Sequence, residues 1–224
     1  MNLTTILLTI SAILAVAYGV YGYGIYGGAP PYVFPAAFKA SSIVILAAVA
    51  LLTGPRLLGV ALLCGALGDA LLAWSHDAFL FGALAFLVGH LFYITLFVRS
   101  GIGVRAALRD HPRLLLLAAT VLAALAASQL TPHTSPIFVP LAVYSGVLTL
   151  MVLSSYTLRW THWLAMVGAV LFFISDGFVA WDKFHPATDP TLAFWRSFAG
   201  WMIYWAGQAA ICFGALPLKQ HSAT

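Results

Sequence analysis

Glutamate is missing from the 224 residues altogether, and charge of either sign is scarce: Asp, Lys and Arg together make up 7% of the chain against 62% hydrophobic residues. That scarcity excludes an ordinary water-soluble domain, in which about a quarter of the residues are charged, and places the chain among integral membrane proteins. Cysteine is as rare. Cys64 and Cys212 both lie in apolar runs, too few for a disulfide framework and without the paired spacing of a zinc site. The net charge of +4 carries no nucleic-acid signal, because the basic residues fall between apolar runs, as topology signals do. There is no G-x-S-x-G elbow, H-E-x-x-H helix, glycine-rich phosphate loop or partnered cysteine nucleophile. The sequence therefore implies neither a metal nor a cofactor. The amino terminus has no basic stretch ahead of its apolar core, which reads as a retained first helix rather than a cleaved signal.

What is present is long apolar runs. A helix crossing the hydrocarbon core needs about 20 mostly apolar residues, with about 17 sufficient in places. Eight such spans are expected, at 3–19, 34–52, 57–74, 78–98, 114–130, 137–158, 160–181 and 193–216, with breaks at Gly- and Pro-containing stretches. The predicted fold class is all-α, a polytopic membrane protein of eight transmembrane helices forming one integral membrane domain over 1–224. With eight spans, both termini share a side with the loops after the second, fourth and sixth. Those loops carry Arg56, Arg99, Arg105, Arg109, Arg113 and Arg159, and the tail carries Lys219. The opposite side has Lys183 and Arg196, balanced by Asp182 and Asp189, and Lys39 at the start of the second span. The positive-inside rule then places both termini in the cytoplasm, here of a bacterial cell membrane.

Within that layout two acids stand out. Asp69 in GDALLAW and Asp176 in SDGFVAW share the pattern Asp-x-x-x-Ala-Trp, 107 residues apart. Each lies five residues before its tryptophan, or about 7.5 Å below the outer end of its span, and Lys39 reaches a similar depth. A cation and two acids thus share one layer. The repeated string suggests two four-helix halves related by an axis along the membrane normal. Intramembrane ionisable groups are costly and by default mark a functional site. The structural alternative pairs one acid with Lys39 and hydrogen-bonds the other. Small residues at Ala61 and Gly65 would permit close helix packing but do not require an acid.

Other polar residues gather at helical spacing. In the fourth span Gly82, Phe86, Gly89, His90, Tyr93 and Phe97 follow one face. His90 could carry a proton or donate to a backbone carbonyl. In the last span Trp201, Tyr204, Trp205 and Gln208 form a comparable face, where Tyr204 and Gln208 could position a substrate or water, or bond helix to helix. Tyr144 in the sixth span is of the same kind.

These motifs, FK at 38–39, GDALL at 68–72, F-x-x-G-H-x-x-Y at 86–93, SD at 175–176 and Y-x-x-x-Q at 204–208, resemble in order and spacing the YhhN family, which includes the lysoplasmalogenases. The family's second helix usually reads Lys-Pro where this chain has Lys39 followed by Ala40, which leaves the local bend of that helix open. The resemblance implies hydrolysis of the vinyl ether bond of a lysoplasmalogen, with release of a fatty aldehyde and a glycerophospho-alcohol. Such a reaction protonates the outer alkene carbon and captures the resulting oxocarbenium ion with water. It calls for one protonated carboxyl, which burial favours, and one ionised carboxyl near Lys39 to stabilise the cation and deprotonate the water. Asp69 and Asp176 are the expected catalytic pair, with the division of roles open. Lys39, His90, Tyr93, Tyr144, Tyr204 and Gln208 are the expected substrate-binding residues. The partners are a lysophospholipid substrate and membrane lipid; oligomeric state is not legible. A single-chain amphiphile would come in sideways from the outer leaflet and leave its phosphate near Lys39 or Arg196. The competing reading is a proton-coupled transporter of a small molecule or lipid, since acids at a repeat interface also mark ion relays. Gathering of the charges in one layer, rather than through the full membrane depth, favours chemistry over passage.

Overall fold

Long apolar runs in which every backbone polar group must be satisfied internally can only become helices, and helices they are. The computed structural model describes residues 3–24 and 33–218, among which no strand occurs. Four long helices come first: α1 (Leu3–Gly24), α2 (Val33–Thr53), α3 (Arg56–Trp74) and α4 (Phe79–Ser100). A short α5 (Val104–Ala107) follows, then α6 (His111–Ser128), α7 (Phe138–Ser155), α8 (Trp163–Phe184) and α9 (Pro190–Ala215). Seven of the eight long helices, α1–α4 and α6–α8, are long and apolar enough to cross a membrane. The 26-residue α9 has the length but not the apolarity, because it carries Arg196, Gln208 and several aromatic residues with polar tips.

Helix ends differ from the expected spans where caps decide. α9 starts at Pro190, three residues early, because the Asp189 carboxylate accepts the Leu192 N–H at 2.7 Å and proline suits the first helical position. α8 runs three residues past Trp181, so Asp176 lies eight residues, about 12 Å, from the end of its helix rather than about 7.5 Å. α2 continues without a break through Ala40. Lys219 lies outside the described residues.

Consecutive helices pack side by side from α1 to α4. α4 then packs on α7, α7 on α8, and α8 on α9, which returns to α1 and also meets α2 and α3. α6 lies outside this ring, against α7. Close approach is bought with small residues, as expected between helices in lipid. A Cβ on Gly168 would lie 2.6 Å from the Gly207 carbonyl oxygen, and one on Gly214 would lie 2.2 Å from the Ala165 nitrogen, so α8 and α9 touch backbone to backbone. α4 approaches α3 at Gly89, 3.1 Å from the Ala61 oxygen in the same sense, whereas Gly65 makes room for α9 side chains.

The two ends of the bundle are built differently. At one, Trp160 Nε1 donates to Asp110 at 3.0 Å, Arg113 pairs with Asp110 at 3.2 Å and lies over the Trp160 ring, and the Ile102 N–H donates to the Thr157 carbonyl. At the other, Arg196 pairs with Asp182 and Lys183 lies over Phe79. A cavity opens towards this second end.

Candidate active site

Asp69 projects from α3 and is almost fully buried, at 2% exposure. An acid so placed needs partners, and two helices supply them. Lys39 from α2 sets its Nζ 4.0 Å from Asp69 Oδ1. Tyr204 from α9 donates its hydroxyl to Oδ2 at 2.8 Å. Behind Tyr204 the chain continues: Gln208 Nε2 donates to the Tyr204 oxygen at 3.2 Å, and the Tyr93 hydroxyl of α4 donates to Gln208 Oε1 at 2.6 Å. Gly65 permits this, since a Cβ there would fall 2.8 Å from Gln208 Nε2. Lys39 is also enclosed by rings, 5.5 Å from the centroid of Trp201 and 6.0 Å from that of Tyr18, both within cation–π range.

Asp176 projects from α8 and is only partly buried. The Tyr144 hydroxyl of α7 donates to its Oδ2. His90 Nε2 lies 3.2 Å from the Tyr144 oxygen. Because the Tyr144 proton is committed to Asp176, Nε2 carries the histidine proton and donates it, which leaves the buried Nδ1 as a bare acceptor with no hydrogen-bond partner. Among the described residues no Lys or Arg lies within 4.0 Å of Asp176.

Two hydrogen-bonded chains therefore end in the two acids, and both start on α4, from His90 and Tyr93 three residues apart. Phe172 stands between them, with its ring 4.8 Å from His90 and 5.2 Å from Tyr204, and Phe86 packs on both Phe172 and Tyr204. Asp69 and Asp176 line one cavity of about 680 Å³, together with Lys39, Tyr144 and Tyr204. His90, Tyr93 and Gln208, expected from sequence to meet substrate, lie behind this lining and touch it through the tyrosines. Phe172 and Tyr18 were not among the residues expected at the site. Phe172, four residues before Asp176 on the same helix, carried a signal in its spacing; Tyr18, on α1 and apart in sequence from both acids, carried none.

The rest of the cavity is mostly apolar and is walled by α6 and α7 with residues such as Leu125, Phe138 and Leu141. Gly146 on α7 and Gly177 on α8 also line it and face open space. Among the described residues no group of three or more His, Cys or Asp side chains is placed to hold a metal ion. The arrangement offers two carboxyls, one with a cation and one without, at the polar end of an apolar chamber.

Comparison with known proteins gives this geometry a context. The sequence profile of the YhhN family matches residues 34–215. A rat protein named lysoplasmalogenase TMEM86B is 39% identical over 171 residues, 74% of this chain and 65% of that protein. The human protein of the same name is 35% identical over 164 residues, 72% of this chain and 64% of that protein. The chain thus spans just under two thirds of the length of these mammalian relatives. A lysoplasmalogenase of Mycobacterium tuberculosis is 35% identical over 204 residues, 82% of this chain and 76% of that protein. No solved structure matches the chain.

Proposed function

Since the chain belongs to the YhhN family, we propose that it hydrolyses the vinyl ether bond of lysoplasmalogens, with ethanolamine or choline headgroups, by carboxyl acid–base catalysis inside the membrane. The observation that carries this reading is the unequal pair of acids on one cavity: Asp69 with Lys39 as counter-ion, Asp176 with no Lys or Arg within 4.0 Å among the described residues. Asp176 is the proton donor and Asp69 the carboxylate. The Asp176 proton passes to the outer alkene carbon, and the positive charge that develops on the ether carbon and oxygen faces Asp69. Water adds to that carbon and gives a proton to Asp69. In the last step Asp69 returns this proton to the glycerol oxygen as the carbon–oxygen bond breaks, and Asp176 takes the hemiacetal hydroxyl proton as the aldehyde forms. Both acids end as they began, so the cycle closes without an outside acid. Tyr204 and Tyr144 hold the carboxyls in place, and the α6–α7 side of the cavity takes the hydrocarbon chain.

The same reading makes α9 an eighth crossing. It packs backbone to backbone along α8 and reaches from the Asp182–Arg196 pair to the opposite end, where Leu216 meets Gly54. Two halves of four long helices then place the acids in corresponding third helices, each accepting a tyrosine hydroxyl. Both termini lie in the cytoplasm and the cavity opens toward the outer leaflet. A reporter fused after Lys219 is expected on the cytoplasmic side and one between His185 and Asp189 on the other; both on one side would break the eight-crossing arrangement.

The decisive experiment incubates the purified protein with lysoplasmalogen and measures aldehyde release against a lysolipid of the same chain length with an ester bond. Release from the vinyl ether alone is expected. A protein that cleaves neither, yet carries protons across vesicles, would be a transporter instead.

A further inference from the structure

Hydrolysis as described uses the charges in the middle of the cavity, but three more line its open end: Asp182, Lys183 and Arg196. Two of them are mutually engaged. Arg196 donates through Nη2 to the Asp182 carboxylate and to the His185 carbonyl, while its buried Nε has no partner. Lys183 differs. Its Nζ lies 4.5 Å from the centroid of the Phe79 ring, and among the described residues no carboxylate comes within 4.0 Å of it. Of the three cavity cations, Lys39 has Asp69 and Arg196 has Asp182, which leaves Lys183 as the one without a counter-ion.

Its position along α8 carries a second message. Lys183 follows Asp176 by seven residues, which is close to two full turns, so the two share a face and are displaced by about 10.5 Å along the axis. In a glycerolipid with an alkenyl chain on the first carbon and a phosphate on the third, seven bonds separate the outer alkene carbon from phosphorus. Extended, those bonds cover about 9 Å. The helix thus sets an acid and an unpaired cation at the separation of the lipid's reactive carbon and its anion.

We propose that Lys183, with Arg196 on the same cavity, forms a phosphate-binding subsite that seats a single-chain glycerophospholipid so that its ether-linked carbons meet Asp176. The identity of the lipid rests on the ether-hydrolase reading; the anion site does not. The open end holds two cations and one acid, so a phosphodiester neutralises it. The subsite selects the phosphorylated lipid over the equally apolar alkylglycerol, which fits the chain-binding side as well but offers Lys183 nothing.

The test uses ligands that cannot be cleaved. Binding of 1-hexadecyl lysophosphatidylethanolamine, a saturated ether, and of 1-hexadecylglycerol is measured by calorimetry on the full-length protein in detergent, for the wild type, Lys183→Gln and Lys183→Arg. The wild type is expected to prefer the phospholipid. Lys183→Gln should weaken phospholipid binding about tenfold or more, leave the alkylglycerol unchanged, and Lys183→Arg should retain most of the preference. Equal effects on both ligands, no effect on either, or a wild type that fails to prefer the phospholipid would overturn the subsite. Since nothing is cleaved, preserved discrimination in a protein that releases no aldehyde would sink the hydrolase reading alone.

Discussion

Asp69 and Asp176 stand on the same residue pattern and line the same cavity, yet one is sealed and the other is open. Asp69 has a lysine from α2 and a tyrosine from α9 against it, with a fully buried glutamine behind the tyrosine. Asp176 is partly exposed to the cavity, has a tyrosine and, among the described residues, no Lys or Arg within 4.0 Å, and its chain ends in a histidine whose second nitrogen is unpaired. In the proposed hydrolysis that difference divides the work: the acid with a fixed counter-charge serves as the carboxylate, and the one without serves as the proton donor.

The largest expected effect comes from breaking either branch at its acid. Asp69→Asn and Asp176→Asn should each lower aldehyde release by about 10²- to 10⁴-fold, the usual range for loss of a positioned acid or base, with insertion and folding retained because an amide still accepts the tyrosine hydroxyl. Near-normal turnover in either variant removes that residue from the mechanism.

Lys39→Met sharpens the comparison, since it touches the Asp69 branch alone. Methionine keeps length and apolar bulk between Tyr18 and Trp201. Without the cation the anionic form of Asp69 is favoured less, so more alkaline solution is needed to populate it. Turnover should fall, by about tenfold, and its pH profile should move toward higher pH, where Asp69 again ionises. Full activity with an unshifted profile would return Lys39 to the role of an anchor for α2.

Much of this contrast was legible in the chain, and its gaps follow from one cause. The helices, Lys39 and two acids as one group, and the polar faces of α4 and α9 all come from spacing within single segments, where periodicity determines direction. The start of α9 was also written locally, in Asp189–Pro190, although the apolar run alone pointed to 193. Pairing across helices was not. That Lys39 meets Asp69 rather than Asp176, and that Gln208 sits behind Tyr204 instead of on the cavity wall, depends on α2 and α9 both flanking α3. The repeated Asp-x-x-x-Ala-Trp string predicted two alike environments; its tryptophans are alike, both exposed at 48% and 46%, but its aspartates are not.

The smallest expected effect lies at the far ends of the two chains, on α4. Tyr93→Phe removes the donor to Gln208 Oε1, and both residues are at most 1% exposed, so no water can replace it. An unsatisfied buried acceptor costs about 1–3 kcal/mol, which for a chain of this size corresponds to a fall in Tm of about 2–4 °C per kcal/mol. His90→Met takes away the donor to Tyr144, but Tyr144 lines the cavity, where water can take its place, and the substitution also removes the orphaned Nδ1. Thermal unfolding in detergent should therefore show Tyr93→Phe clearly below the wild type and His90→Met close to it. The opposite order would mean that the Asp176 chain is the sealed one, and that the contrast between the two acids is drawn the wrong way round.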